Sequence, residues 1–287
     1  MIIDRGLVVR VEHTAARLTS LEVESLAATT PSSPARWMAA DGGVAAAMGP
    51  GRYVNRAVGA VFGDAAPAAL LDELEAFYEE AGLPASLEVS PWVGEPLLEE
   101  LGVRGYAVNW FRNVYAHSLQ SLPSIGRLQI DEVDDDLEAD WTAILGSGHE
   151  HGTPERRTSD EFCAAMHRVP GALNLIATID GRPVGTGSLT PVRTVAWLGG
   201  AATLPEARGR GAQHALLADR LHRARRLGCS LAAATAVPGG VSARNLTRVG
   251  FQLLYTQAVM TRPRREDSGA QEPVTPQPSE LGRVKRR

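Results

Sequence analysis

The chain has 287 residues, 44% of them hydrophobic and 22% charged, with a formal net charge of -4. That length suits one large domain or two of about 140 residues, and the composition is ordinary for a soluble globular protein. The slight acidity argues against a partner held by bulk positive charge such as nucleic acid, two cysteines make neither a disulfide scaffold nor a metal cluster, and no run approaches the roughly 18 apolar residues of a membrane span.

The N-terminus shows no apolar stretch followed by a cleavage site, so the cytoplasm is the expected location. Gly6 to Val11 reads as a first strand, and Ala15 to Ala27 as a helix. Thr30 to Pro34 is a break. Val54 to Phe62 reads as a strand, followed by Gly63-Asp64-Ala65-Ala66-Pro67 and a helix whose Leu70, Leu74, Phe77 and Ala81 share one face. Gly82 ends that helix. Ser86 to Val89 is a strand, Glu95 to Leu101 a short helix and Tyr106 to Tyr115 a strand.

Gln120 to Gly126, with Ser121, Pro123 and Ser124, reads as a boundary. A new strand begins at Leu128 to Ile130. The acidic run Asp131 to Asp136 reads as a helix start, where carboxylates meet free backbone N–H groups, rather than as a metal site. Leu173 to Ile179 and Val184 to Leu189 flank Asp180-Gly181, a pair that favours a tight hairpin turn. Thr194 to Leu204 adds a strand. The loop Pro205 to Gly211 then opens a helix to Leu227, with Leu217, Leu221 and Ala224 on one face and Gly228 as its cap. Leu231 to Thr235 is a strand, Ser242 to Val249 a short helix and Phe251 to Met260 the last strand. The remainder, from Pro263 to Arg287, lacks periodicity and is rich in Pro, Glu, Ser and Arg, the composition of a disordered tail. Cys163 and Cys229 read as small buried hydrophobes.

The two halves repeat one layout: helix, Gly, strand, short helix, Gly-aromatic, strand. Gly82 precedes Gly105 by 23 residues and Gly228 precedes Gly250 by 22, and Gly105-Tyr106 matches Gly250-Phe251. The copies differ where they are polar. The second has Arg208-Gly209-Arg210-Gly211 before its long helix, Asn245 before the Gly-aromatic pair and Tyr255 after it. The first has Gly63-Asp64-Ala65-Ala66-Pro67, Glu100 and Trp110. The first copy therefore keeps the packing pattern and lacks the polar one.

A strand, a Gly-rich turn and a long helix make an anion site. Glycines allow close approach of backbone to ligand, and the first-turn N–H groups face phosphate oxygens. Arg208 and Arg210 add charged donors. The P-loop pattern is absent, and the dinucleotide pattern fails because His214 stands at its third glycine. A turn that binds nothing has the same local sequence.

The segment Leu204 to Gln213, the later Asn245-Leu246-Thr247-Arg248-Val249-Gly250-Phe251, and Tyr255 together resemble the GNAT superfamily of N-acetyltransferases over about residues 127 to 262. The family's Gln/Arg-x-x-Gly-x-Gly/Ala pattern is matched at Arg208 and Gly211, while Gln213 departs from the final small residue. The first copy resembles a degenerate member. The resemblance implies an α/β fold of two tandem acyl-CoA N-acyltransferase-like domains, each a mixed, mostly antiparallel sheet flanked by helices. These occupy residues 1–119 and 127–262, with a linker at 120–126 and a tail at 263–287.

By the same resemblance the cosubstrate is acetyl-CoA and the acceptor a small-molecule or peptide amine. Thr203 and Leu204 face the pantetheine arm, and Gly209, Arg210, Gly211, Ala212 and Gln213, with Arg208, cradle the pyrophosphate. Asn245 lies near the sulfur, and Tyr255 is the general acid. A phenol suits that role because its proton stays on until about pH 10. Glu150, His151 or water stands as the base. Neither cysteine has an evident His partner, which disfavours an acyl-cysteine route. A non-catalytic CoA or acyl-CoA binding protein would need the same loop but not Tyr255, and a nucleotide enzyme using that loop is the third reading. Oligomeric state and acceptor identity are not legible.

Overall fold

A computed structural model describes residues 1–50, 52, 54–147 and 154–263, with side chains undescribed at 154–159. The tail after Pro263 and the candidate bases Glu150 and His151 lie outside the described residues. The chain divides into two compact units. Among the described residues the N-terminal unit comprises Met1–Asn113 with 254–263, and the C-terminal unit Val114–Leu253.

The N-terminal unit opens with helix α1 (Arg5–Thr29), where a strand was expected at Gly6 to Val11. The Asp4 carboxylate caps it, accepting from the Leu7 N–H at 2.8 Å. Leu7, Val8, Val11 and Glu12 are buried while Arg10 and His13 are exposed. That is helical spacing, so the β-branched valines are overruled by the cap and the buried stripe. Strands β1 (Arg36–Ala40) and β2 (Gly43–Ala47) form an antiparallel hairpin. Alanine disguises both as helix. Their turn, Asp41-Gly42, has φ of 36° and 86° and carries the same Asp-Gly signal as the later hairpin. The strand expected over Val54 to Phe62 shrinks to β3 (Arg56–Val58), since Gly59 turns away at φ 66°.

Helix α2 (Pro67–Glu80), strand β4 (Ala85–Val89), helix α3 (Glu95–Val103) and strand β5 (Ala107–His117) follow. The unit's strand order is β1-β2-β3-β4-β11, where β11 (Gln252–Arg262) pairs antiparallel with β4 from Ala258↔Val89 to Arg262↔Ala85. On one sheet face Ala45, Ala57, Leu87 and Val89 join Leu71, Leu74, Tyr78 and Leu101 in an apolar core. The other face meets α1, which packs on β1, β2 and β3.

In the C-terminal unit β6 (Gln129–Glu132), β7 (Leu173–Ile179), β8 (Arg182–Val192), β9 (Val195–Thr203) and β10 (Leu231–Ala236) stand in the order β10-β9-β8-β7-β6. The β7–β8 turn has φ of 53° at Asp180 and 74° at Gly181, as its sequence requires. The acidic run ends β6 before α4 (Glu138–Gly146) begins, and Asp134 accepts from the Leu137 N–H at 3.1 Å. Helix α6 (Ala212–Arg226) packs Ala212 and Leu216 on Leu175, Ala177 and Val184. On the opposite face α4 and α5 (Pro154–His167) pack Trp141, Ile144, Leu145 and Cys163 on Ile176. Helix α7 (Val241–Arg248) closes the unit against α6 and β10. The repeat is visible as α2-β4-α3-β5 and α6-β10-α7-β11, with Gly82, Gly105, Gly228 and Gly250 all at positive φ. The boundaries between the units fall inside β5 and β11. Among the described residues no helix is long and apolar enough to cross a membrane.

Candidate functional site

The Gly-rich loop leaves β9 at Leu204, makes a short turn at Pro205–Ala207 and enters α6 at Gly211. Gly209 and Gly211 have φ of 79° and 89°, a region that costs any L side chain about 1–2 kcal/mol. A Cβ at either would meet nothing within 4 Å, so their need is conformational and the space before the turn is open. No side chain caps α6. Its first-turn amides at Ala212, Gln213 and His214 lack intrahelical acceptors and carry the positive end of the helix dipole. Arg208 Nε donates to the Thr203 carbonyl at 3.4 Å. Arg210 pairs with Asp180 at 2.9 Å, with both side chains at least half exposed, so an arriving anion displaces little.

Strand β9 diverges from its parallel neighbour. β10 pairs with it only from Leu231↔Val195 to Ala233↔Trp197. Beyond that, β9 runs on to Thr203 with pairs to β8 alone. The ladder shifts between Thr186↔Ala202 and Ser188↔Gly199, setting Gly200 and Ala201 opposite Gly187 as a bulge. Gly200 has φ 57°, and a Cβ there would lie 2.7 Å from Ser188 Oγ. Thr186 Oγ1 donates to the Gly200 carbonyl at 2.9 Å and accepts from the Ala202 N–H at 3.2 Å. The notch between β9 and β10 thus opens at the carboxyl end of a parallel pair, the edge from which the loop and α6 also start. That is the usual ligand edge of an α/β sheet.

Two α6 side chains fasten this edge. Gln213 Nε2 reaches the Ala202 carbonyl at 2.6 Å, Thr203 Oγ1 at 3.0 Å and the Thr186 carbonyl at 3.3 Å. Seven residues along the same stripe, Arg220 is 1% exposed and donates to the carbonyls of Ser188 at 3.1 Å, Gly199 at 3.0 Å and Leu216 at 3.1 Å. A Cβ on Gly187 would lie 2.7 Å from its Cζ, so the glycine makes room for the guanidinium. Burial lowers the Arg220 pKa to about 10. The sequence reading missed Arg220, although an Arg on the same stripe as Leu217, Leu221 and Ala224 is a legible oddity.

Thr203, Leu204, Arg208 to Gln213 and Asn245 therefore fall in one unit. The Leu204 N–H already donates to the Val184 carbonyl at 2.9 Å, and its carbonyl accepts from Ala207 at 3.0 Å. Asn245 is half-buried on α7, with Oδ1 accepting from Arg248 at 3.2 Å. Tyr255 falls in the N-terminal unit, 6% exposed, and donates its hydroxyl proton to the Glu12 carboxylate on α1. Burial, then the charge of Glu12, raises its phenol well above the ordinary range. Glu12 was not singled out by sequence, where it falls between the expected strand and the expected helix.

The corresponding loop of the first repeat carries a carboxylate. Asp41 Oδ1 accepts from the Ala65 N–H at 2.9 Å ahead of α2, and a Cβ on Gly63 would lie 2.0 Å from that oxygen. A carboxylate stands there, without an arginine in the loop, where the second repeat is open and basic.

The model of the Acetyltransferase (GNAT) family matches residues 130–251. Among solved structures, a GCN5-related N-acetyltransferase from Kribbella flavida has 19% identity and a TM-score of 0.63, over 87% of this chain and 96% of that one. A GCN5-related N-acetyltransferase from Sphaerobacter thermophilus has 18% identity and a TM-score of 0.52, over 68% and 67%. A tandem GNAT protein from the clavulanic acid biosynthesis pathway has 13% identity and a TM-score of 0.50, over 75% and 72%. No curated protein matches the sequence. At such identities the structural likeness establishes the fold, and the tandem relative fits the two-unit architecture. Residues 130–251 thus match the GNAT acetyltransferase family, whose chemistry is acyl transfer from acyl-CoA.

Proposed function

We propose that this protein is an N-acetyltransferase that moves the acetyl group of acetyl-CoA to a primary amine of a small molecule or peptide, by direct attack. The observation that carries this reading is the uncapped start of α6 at Gly211, open and flanked by Arg208 and Arg210, beside the β9–β10 notch. The residues present fit the cosubstrate: first-turn amides and two exposed guanidiniums suit a pyrophosphate, and an unpaired strand edge suits an extended amide-bearing arm. Acetyl-CoA, when bound, supplies a thioester carbonyl and a thiolate leaving group.

The active domain in this reading is residues 127–262, while the copy at 1–119 does not bind CoA, since its loop ahead of α2 has no arginine and carries the Asp41 carboxylate on the Ala65 N–H. Asn245 serves the sulfur end and Tyr255 is the general acid. A phenol held above its ordinary pKa is protonated throughout the neutral range and keeps its proton to give. The cytoplasm fits a chain whose described helices include none able to cross a membrane.

The test is calorimetric and kinetic. Acetyl-CoA binds the wild type, and Arg208→Ala with Arg210→Ala weakens it roughly tenfold or more, since each charged hydrogen bond contributes about 1.5–3 kcal/mol before solvent screening. Binding of acetyl-pantetheine, which lacks the pyrophosphate, stays unchanged. Stabilisation by NAD or ATP but not by CoA overturns the proposal. Thiol release that persists unaltered in Tyr255→Phe removes the acid role, and binding without turnover on any amine leaves a CoA-binding protein.

A further inference from the structure

Thr203 ends β9 within the C-terminal unit, and its main chain is already engaged. It stands opposite Gly185 of β8, and its carbonyl accepts from Arg208 Nε at 3.4 Å. The next residue is engaged as well: the Leu204 N–H donates to the Val184 carbonyl, and its carbonyl accepts from the Ala207 N–H. What Thr203 has left is its side chain, whose oxygen lies 3.0 Å from Gln213 Nε2.

That bond can run in one direction only. The same amide group lies 2.6 Å from the Ala202 carbonyl oxygen and 3.3 Å from that of Thr186. Both oxygens accept and neither donates, so the nitrogen of the amide, not its oxygen, must face them. An amide nitrogen carries two protons and accepts none, so Thr203 Oγ1 is the acceptor. A hydroxyl that accepts keeps its own proton to give, and among the described residues that proton has no acceptor. Thr186 is the contrast. It is fully buried, and its hydroxyl is spent on Gly200 and Ala202. Thr203 is half-buried and lies beyond Trp197, the last residue of β9 that β10 pairs.

The local build explains how Gln213 gets there. A Cβ on Gly185 would come within 3.3 Å of the Ala202 carbonyl oxygen and 3.5 Å of Ala212 Cβ, so a glycine opposite Thr203 lets the first turn of α6 close onto the strand end. Gln213 follows Ala212 and reaches three acceptors on two strands. A small side chain at 213 has no donor with which to hold the hydroxyl.

We propose that Thr203 Oγ1 donates a hydrogen bond to an acceptor oxygen of the bound acyl-CoA, a carbonyl of the pantetheine arm or a phosphate oxygen, and that Gln213 is the positioning residue that turns the hydroxyl to this task. The proposal rests on the acetyltransfer reading. Because the rotor is fixed before the ligand arrives, little ordering is left for binding to bear.

The test is calorimetric binding of acetyl-CoA and of acetyl-pantetheine to wild type, Thr203→Val, Thr203→Ser, Gln213→Met and the double variant Thr203→Val with Gln213→Met. Thr203→Val keeps the shape and loses the hydroxyl, while Gln213 retains two carbonyls for its two protons. It should weaken acetyl-CoA binding roughly three- to tenfold, the range of one net hydrogen bond. Thr203→Ser should restore the affinity. Gln213→Met should also weaken binding, and adding Thr203→Val to it should cost nothing further, a non-additivity that a general loosening of the strand end would not produce. A loss shared by acetyl-pantetheine assigns the bond to the arm, and a loss confined to acetyl-CoA assigns it to phosphate. Thr203→Val binding as tightly as wild type, or Thr203→Ser binding as weakly as Thr203→Val, overturns the proposal and leaves the acetyltransfer reading standing. Fully additive losses overturn the role of Gln213. A wild type that does not bind acetyl-CoA overturns the acetyltransfer reading and this proposal with it. Where Gln213→Met fails to fold, the comparison of Thr203→Val with Thr203→Ser decides.

Discussion

Replacing Arg220 sets two large effects against each other. Arg220→Met removes the donors to Ser188 and Gly199, each a charged hydrogen bond contributing about 1.5–3 kcal/mol. The loss is then roughly 3–6 kcal/mol. The same change removes a buried cation whose pKa falls from 12.5 to about 10, and at about 1.4 kcal/mol per pKa unit this relieves about 3 kcal/mol. The balance is a destabilisation of about 0–3 kcal/mol. Arg220→Lys keeps the charge and its desolvation while losing the planar fork that reaches carbonyls on two strands. The conservative change should therefore be worse than the apolar one, by at least about 1 kcal/mol. Urea unfolding at pH 7 measures both. A lysine variant more stable than the methionine variant would falsify the idea that this charge is dry and satisfied only by carbonyls. Because Gly199 borders the notch, both variants should also weaken acetyl-CoA binding, whereas loss of stability with unaltered binding would mean that the bulge does not shape the site.

Gly200→Ala should destabilise by about 2–5 kcal/mol, from left-handed strain of about 1–2 kcal/mol and overlap with Ser188 and Trp141 of about 1–3 kcal/mol; a change under about 0.5 kcal/mol in urea unfolding would mean that β9 is regular there. Glu12 makes stability depend on pH with a definite sign. Its folded pKa is raised from 4.5 to about 7, so the folded state binds a proton more tightly, and the contribution is complete below pH 4.5 and lost as pH rises to about 7. The amount is about 3 kcal/mol, so Glu12→Gln should gain on wild type by that much between pH 4.5 and 8; a difference equal at both pH values sinks the assignment.

The sequence by itself determined the repeat, the elements from Pro67 to Tyr115 and from Leu173 to Met260, and the basic Gly-rich loop. Each of those signals is local: Gly82 and Gly228 end helices, Asp180-Gly181 makes a turn, and Gly209 and Gly211 permit a backbone that side chains resist. It misread Gly6 to Val11, because a β-branched run looks the same whether a cap and a buried stripe recruit it into a helix or a neighbour pairs with it as a strand. It passed over β1 and β2 because alanine favours helix until a hairpin buries it. Tertiary structure alone decided the long-range features: that Gln213 and Arg220 hold the carbonyls of β8 and β9, that Asp41 binds the Ala65 N–H ahead of α2, and that Tyr255 meets Glu12, 243 residues away. No local pattern encodes such a pair, because burial and the partner it brings arise only once the last strand has paired with β4 beside α1.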